Sequence, residues 1–300
     1  MNMARIIVVG TGIMGCGIAA GFAAAGAGVA LLGRRPEAAE RARVQALELA
    51  GSLGGAAGPV EAAVLDGWQG WDGADLVIES VSEDLAVKQA LFAQLDALVP
   101  AGVPIGSNSS GYPISRIAGG LATRARMFGT HYFMPAHLVP LVEVVMGADS
   151  DAALAARVVE LFAAHGKKPV LVRKDIPGFL ANRIQHALMR EALALIDEGV
   201  ATFDDVDLAV RYSFGFRYAA IGPMLQKEIS GWDSVYQAAQ EIYPSLSNTA
   251  VAPECLAALY RAGRYGIKAG GGYRDWTPEQ ARELKEGYER RLQAAFKILG

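Results

Sequence analysis

The sequence predicts an α/β fold in two domains: an N-terminal Rossmann-type doubly wound sheet over residues 1–175 and an all-α C-terminal domain over residues 176–300. Three observations predict it. An apolar run ending at Val9 stops at a G-x-G-x-x-G pattern formed by Gly10, Gly12 and Gly15, and an alanine-rich helical stretch follows. Strand and helix patterns then alternate down to about residue 175, as expected when helices cover both faces of a parallel sheet. After "KDIPGF" (174–179) only helical periodicity remains.

The elements follow in order. After the first strand and its helix, Val29–Leu32 is the second strand and "PEAAERARVQALELA" (36–50) the helix behind it. "DLVIES" (75–80) is the third strand, and the next helix carries Leu85, Leu91, Leu95 and Leu98 at helical spacing. "VPIGSNSS", "RMFGTHYF", "LVEVVMG" and "KPVLVRK" are further strands. Helices are expected over 177–199, 203–213, 224–242, 251–263 and 278–297, the last opened by a capping box at "TPEQ" (277–280).

Composition narrows the function. A chain of 300 residues that is 52% hydrophobic is long enough for two cores. Its 28 basic and 31 acidic residues leave a net charge of −3 with no basic block, so nothing points to nucleic acid or an anionic membrane, and the expected partner is a small molecule. Residues 6–33 lack charge but contain eight glycines, which fits a strand-turn-helix-strand unit buried in a sheet better than a membrane span. Cys16 and Cys255 have neither metal-ligand nor disulfide spacing; no metal is expected, and a cytoplasmic location fits.

The glycine pattern follows a strand and opens a helix, which is the context that gives it meaning. Gly10 permits the tight turn, Gly12 lets a pyrophosphate approach the backbone, and Gly15 permits close packing, with Ile13 and Met14 in the first helical turn. At the end of the second strand an acid would hydrogen-bond the adenosine ribose. Here Gly33, Arg34 and Arg35 stand instead. An acid would repel a 2′-phosphate whereas guanidinium forks accept it, so NADP(H) is favoured, with NAD(H) as the alternative if the arginines are a solvated helix start paired with Glu37 and Glu40.

Of the four histidines, His165 and His186 fall in helical patterns, but His131 ends a short strand, where a sheet presents side chains to its ligand crevice. Glu143 is an acid in an apolar strand and needs a partner, for which His131 is the leading candidate. An imidazole held by a carboxylate is suited to acid/base work near neutral pH.

Taken together, "VVGTGIMGCGIA", "ADLVIESVSEDLAVKQALF", "GSNSS", "GTHYFMPAHLVPLVEVV", "KDIPGFLANRI" and "GIKAGGGY" resemble, in this order and over the whole chain, the L-3-hydroxyacyl-CoA dehydrogenase family, which includes gulonate and carnitine dehydrogenases. The resemblance implies that His131 takes the alcohol proton as hydride leaves for the nicotinamide and that Glu143 orients the imidazole. It also implies that Ser110 and Asn182 reach the substrate, that Glu83 and Lys88 lie near the nicotinamide ribose and carboxamide, and that Ser107 and Asn108 belong to the cofactor site. The bland reading of Glu83 and Lys88 is a helical pair on a solvated face. A homodimer through the helical domain is a further implication.

Two departures bear on the substrate. Met134 replaces an asparagine common in the family, and residues 34–74 contain no lysine and no basic residue beyond Arg43, whereas acyl-CoA members have a longer, lysine-rich segment there that helps hold CoA. Arg217, in an apolar and aromatic stretch, is either a substrate-carboxylate ligand or a structural ion-pair partner. The sequence thus predicts an NAD(P)-dependent dehydrogenase of a small hydroxy acid or short 3-hydroxyacyl substrate. The alternative is a non-catalytic NAD(P)-binding structural or redox-sensing protein.

Overall fold

A computed structural model describes residues 3–54 and 57–299. The chain divides into two compact units, Met1–Ala181 and Asn182–Gly300.

The first unit is built on an eight-stranded sheet of order β3-β2-β1-β4-β5-β6-β7-β8. Its strands are β1 (Arg5–Val9), β2 (Gly28–Gly33), β3 (Val60–Val64), β4 (Leu76–Glu79), β5 (Ile105–Ser107), β6 (Met127–Tyr132), β7 (Leu141–Met146) and β8 (Lys168–Val172). The first six are parallel, β7 runs antiparallel to β6, and β8 is parallel to β7. Helices α1 (Ile13–Ala24), α2 (Pro36–Leu53), α3 (Leu85–Leu98), α4 (Ile114–Ile117) and α5 (Ala152–Ala164) connect them. The strand side chains alternate between two cores: Ile6 and Val8 of β1 share one with Phe22 and Phe162, while Ile7 and Val9 share the other with Phe92 and Leu95. Burial on both faces explains the charge-free run through β1, α1 and β2.

Some expectations need correction. "DLVIES" forms the fourth strand, because residues 60–64, VEAAV, form β3 at the sheet edge beside β2. Alanine and glutamate have little strand propensity, so the pairing with β2, and not local preference, makes this segment a strand. The helix expected over 224–242 is two, α9 (Pro223–Ser230) and α10 (Trp232–Ile242), divided at Gly231 with φ 89°. The preceding aromatic stretch is itself a helix, α8 (Phe214–Ala220).

The second unit is helical: α6 (Ala181–Asp197, whose first residue closes the first unit), α7 (Phe203–Tyr212), α8 to α10, α11 (Glu254–Arg261) and α12 (Pro278–Leu299). The Thr277 and Gln280 side chains cap α12 as the sequence predicts, each accepting from the other's backbone N–H. Among the described residues no helix is long and apolar enough to cross a membrane.

Candidate active site

The switch in strand order falls between β1, with β2 on one side, and β4 on the other, which is where open α/β sheets bind ligands. Gly10 has φ 133°, and a Cβ there would stand 2.2 Å from the Ser80 carbonyl oxygen. A Cβ on Gly15 would stand 2.1 Å from the Gly10 carbonyl oxygen, whereas one on Gly12 would meet nothing within 4 Å. Gly10 and Gly15 are therefore required by packing, while Gly12 faces open space at the start of α1. No side chain caps α1 and no acid lies in its first turn, and the apolar Ile13 there is 68% exposed. An uncapped helix start with room in front of it fits a diphosphate.

Gly33 closes β2, and a Cβ at this position would lie 2.8 Å from Thr11 Cγ2. The missing acid thus has no place unless Thr11 moves. Arg34 and Arg35 are exposed, and neither has an ion pair among the described residues. Of the two expected counter-charges, Glu37 and Glu40, Glu40 pairs instead with Arg43, and Glu37 makes no ion pair with either arginine among the described residues.

At the other end of the crevice the antiparallel pairing of β6 and β7 sets His131 directly opposite Glu143. Both side chains are buried, and Glu143 Oε2 accepts the His131 Nδ1 hydrogen bond at 2.7 Å. The other ring nitrogen, Nε2, lies 2.9 Å from Ser110 Oγ. Glu143 Oε1 accepts from the backbone N–H groups of Leu180, at 2.9 Å, and Ala181, at 2.8 Å. Burial pushes the Glu143 carboxyl up, but the His131 hydrogen bond and these two N–H groups outweigh it and hold the carboxyl below its usual value. With Glu143 ionised, Nδ1 is the donor in this bond, and in the neutral form of the ring Nε2 then accepts from the Ser110 hydroxyl. The rings of Phe133, at 4.6 Å, and Phe179, at 5.4 Å, flank the imidazole. Phe179 has φ 50°, a conformation that bulky residues seldom adopt.

A second buried network lies beside this one. Lys88, 1% exposed on α3, contacts Glu79 Oε1 at 2.8 Å and Glu83 Oε2 at 3.3 Å, so the solvated-face reading is overturned for Lys88, whereas Glu83, just before α3, remains exposed. Ser107 donates to Glu79, while Asn108 donates to Ser80 Oγ and accepts from the Tyr132 N–H. Glu79 and Phe179 were not foreseen. Glu79 carried the signal that exposed Glu143, an acid in an apolar strand; Phe179 carried only its place after Pro177 and Gly178. In the helical unit, Asn182 is half-buried in the first turns of α6 and Arg217 is exposed on α8, and neither side chain has a hydrogen-bond or ionic partner among the described residues.

Fold and site together define a class: a nicotinamide-dinucleotide-dependent oxidoreductase of CH–OH groups. Residues 5–176 match the model of the 3-hydroxyacyl-CoA dehydrogenase NAD binding domain, and residues 178–276 match that of the 3-hydroxyacyl-CoA dehydrogenase C-terminal domain. The chain belongs to the 3-hydroxyacyl-CoA dehydrogenase family. It is 34% identical over 303 residues, covering 98% of both chains, to 5-formyl-3-hydroxy-2-methylpyridine 4-carboxylate 5-dehydrogenase of Mesorhizobium japonicum. It is 36% identical over 278 residues to L-carnitine dehydrogenase of Streptomyces griseus, covering 87% of this chain and 81% of that one. A crystal structure of the pyridine-carboxylate 5-dehydrogenase, described as an NAD+-dependent dismutase, superposes with a TM-score of 0.91 at 34% identity over 99% of each chain. The 3-hydroxyacyl-CoA dehydrogenase of Archaeoglobus fulgidus superposes with a TM-score of 0.70 at 29% identity, over 98% of this chain and 99% of that one.

Proposed function

We propose that this chain oxidises and reduces a small free carboxylic acid bearing a hydroxyl or aldehyde group, with His131 as the general acid/base. The observation that carries the proposal is the continuous set of hydrogen bonds from Ser110 through His131 to Glu143 and on to the backbone N–H groups of Leu180 and Ala181. A bound nicotinamide dinucleotide supplies the hydride acceptor or donor, held at its phosphates by the turn containing Gly10, Gly12, Ile13, Met14 and Gly15. In the oxidising direction His131 Nε2 takes the substrate hydroxyl proton and Glu143 stabilises the imidazolium that results. Ser110 Oγ, beside Nε2, hydrogen-bonds the substrate oxygen. A hydrated aldehyde presents the same H–C–O–H unit as an alcohol, so one dyad serves both. By resemblance Asn182 is a substrate ligand; the exposed guanidinium of Arg217, which has no ion pair among the described residues, is the proposed partner of the substrate carboxylate.

The choice of a free acid over a CoA ester rests on α2 and β3. Residues 44–74 carry no cation and Arg43 is occupied by Glu40, which leaves Arg41 as the one unpaired cation of α2 and β3 among the described residues, too few for the several phosphate charges of CoA. Two relatives aligned over most of their length are named for a pyridine carboxylate and for carnitine, neither of them a CoA ester. Turnover of L-carnitine, 3-hydroxybutyrate and a formylpyridine carboxylate should be compared with that of 3-hydroxybutyryl-CoA. The proposal expects at least one free acid to give the higher kcat/KM; CoA esters alone being turned over would contradict it.

The preferred cofactor in this proposal is NADP(H). Gly33 abutting Thr11 leaves no room for the acid that would repel a 2′-phosphate, and Arg34 and Arg35 are unpaired beside it among the described residues. The proposal includes a homodimer through the helical unit. Helices α7 to α11 bury no residue at all, although they expose Leu208, Phe216, Leu225, Ile229, Trp232 and Tyr236. Exposed apolar side chains on successive helices support an interaction surface, and a second copy with the same helices would match it. The free cysteines fit a reducing cytoplasm.

A further inference from the structure

Ser110 is an exposed residue in the turn between β5 and α4, yet its hydroxyl lies 2.9 Å from a buried imidazole nitrogen. Something must hold the turn, and the groups that do so are not part of the Ser110–His131–Glu143 set. We infer that Glu79 is a positioning residue: with Lys88 as its buried counter-ion, it fixes the turn that keeps Ser110 on His131. The inference rests on the reading of Ser110 and His131 given above.

The contacts run outward from Glu79, which closes β4 in register with Ser107 of β5 and is fully buried. Its Oε1 accepts from Lys88 Nζ at 2.8 Å and from the Val81 N–H at 2.7 Å, and its Oε2 accepts from Ser107 Oγ at 2.6 Å. Ser107 Oγ in turn accepts from the Ser109 N–H at 3.2 Å. On the far side Glu83 Oε1 accepts from Ser109 Oγ at 2.6 Å and from the Gly111 N–H at 2.8 Å, while its Oε2 lies 3.3 Å from Lys88. The residues before and after Ser110 are therefore each tied to a carboxylate, and one lysine serves both carboxylates. Stability is a poor explanation for this arrangement, because a buried ion pair seldom outperforms well-packed apolar residues of the same size. Geometry is the better one. Charged hydrogen-bonded networks in a low-dielectric interior fix their members tightly, and Ser110, between the two tied residues, is the one whose side chain is hydrogen-bonded to the imidazole.

The test needs no substrate. Imidazole nitrogen NMR of the full chain, with the His131 signal identified by its loss in His131→Gln, reports whether Nε2 has its hydroxyl partner. Ser110→Ala should displace that signal. Glu79→Gln should displace it in the same direction by a comparable amount, and adding Glu79→Gln to Ser110→Ala should move it no further. If Glu79→Gln does not fold because Lys88 loses its counter-ion, Glu79→Gln/Lys88→Met removes both charges and Ser107→Ala cuts the same connection; both should reproduce the displacement. A folded variant with the His131 signal at its wild-type position, or a displacement that adds in full to that of Ser110→Ala, overturns the inference. A Ser110→Ala protein whose signal moves but whose turnover is intact overturns the catalytic reading of Ser110 and leaves the positioning role of Glu79 supported.

Discussion

At the end of β2, the proposed preference for NADP(H) rests on single side chains. Thr11 occupies the space that a side chain at position 33 would need, and Arg34 and Arg35 supply charge where an acid would have repelled it. Arg34→Ala should therefore weaken NADP(H) binding by roughly 10-fold or more, in line with the ~1.5–3 kcal/mol of a charged hydrogen bond discounted for exposure, and leave NAD(H) binding nearly unchanged. Competition titration at two salt concentrations checks this, since a phosphate–arginine contact weakens as ionic strength rises; equal loss for both cofactors would assign the arginine no role in selectivity. His131 and Glu143 were legible in the sequence because a carboxylate in an apolar strand demands a partner and a strand end supplied one. Glu79 stood in "DLVIES" with the same demand, but its partner lies nine residues on, in a helix that resembled a solvated face. Nothing in the sequence marked the backbone of Phe179, because a positive φ is ordinarily announced by Gly or Asn.

Among the elements, the connection from β6 to β7 is the one on which the site most depends, since it sets His131 and Glu143 in register. Lys167, just before β8, fastens it by donating to the carbonyls of Ala136 at 2.6 Å and Val139 at 3.0 Å, with its ammonium 5.6 Å from the Tyr132 ring centroid. Burial lowers the Lys167 ammonium from the usual 10.5 to about 8. Below about pH 8 the folded and unfolded chains both carry this proton and the full cost of burying the charge is present. Between about 8 and 10.5 only the unfolded chain still holds it, so the Lys167 contribution to stability rises with pH. The melting temperature of the wild type relative to Lys167→Met should accordingly increase from about pH 7.5 to about pH 10, and a difference that stays constant across that range would contradict the assignment. Elements with a strong pattern, such as β1, β2 and β4, were legible because both of their faces are buried. The edge strand β3 was not, since its pairing overrides an alanine-rich sequence, and the break at Gly231 was hidden within a continuous helical periodicity.

For the whole molecule, the sequence showed a nucleotide-binding half followed by a helical half, but helical periodicity gives the apolar face of a helix without saying what covers it. Helices α7 to α11 bury none of their side chains, and the second copy proposed to cover them predicts a dimer by sedimentation equilibrium. Leu225→Glu should shift that equilibrium toward monomer, whereas a wild-type chain that stays monomeric at micromolar concentration would leave those helices without their proposed partner. The central claim concerns the first unit: a carboxylate-held imidazole, not cofactor binding alone, makes this chain a catalyst. The most direct test compares wild type, His131→Ala and Glu143→Gln in one experiment that reads cofactor affinity and turnover of the best free acid together. The account predicts cofactor dissociation constants within a few-fold of wild type in all three, with turnover reduced ~10²–10⁴-fold by His131→Ala and also reduced by Glu143→Gln. Turnover that survives His131→Ala, or that falls only in step with lost cofactor binding, would contradict it.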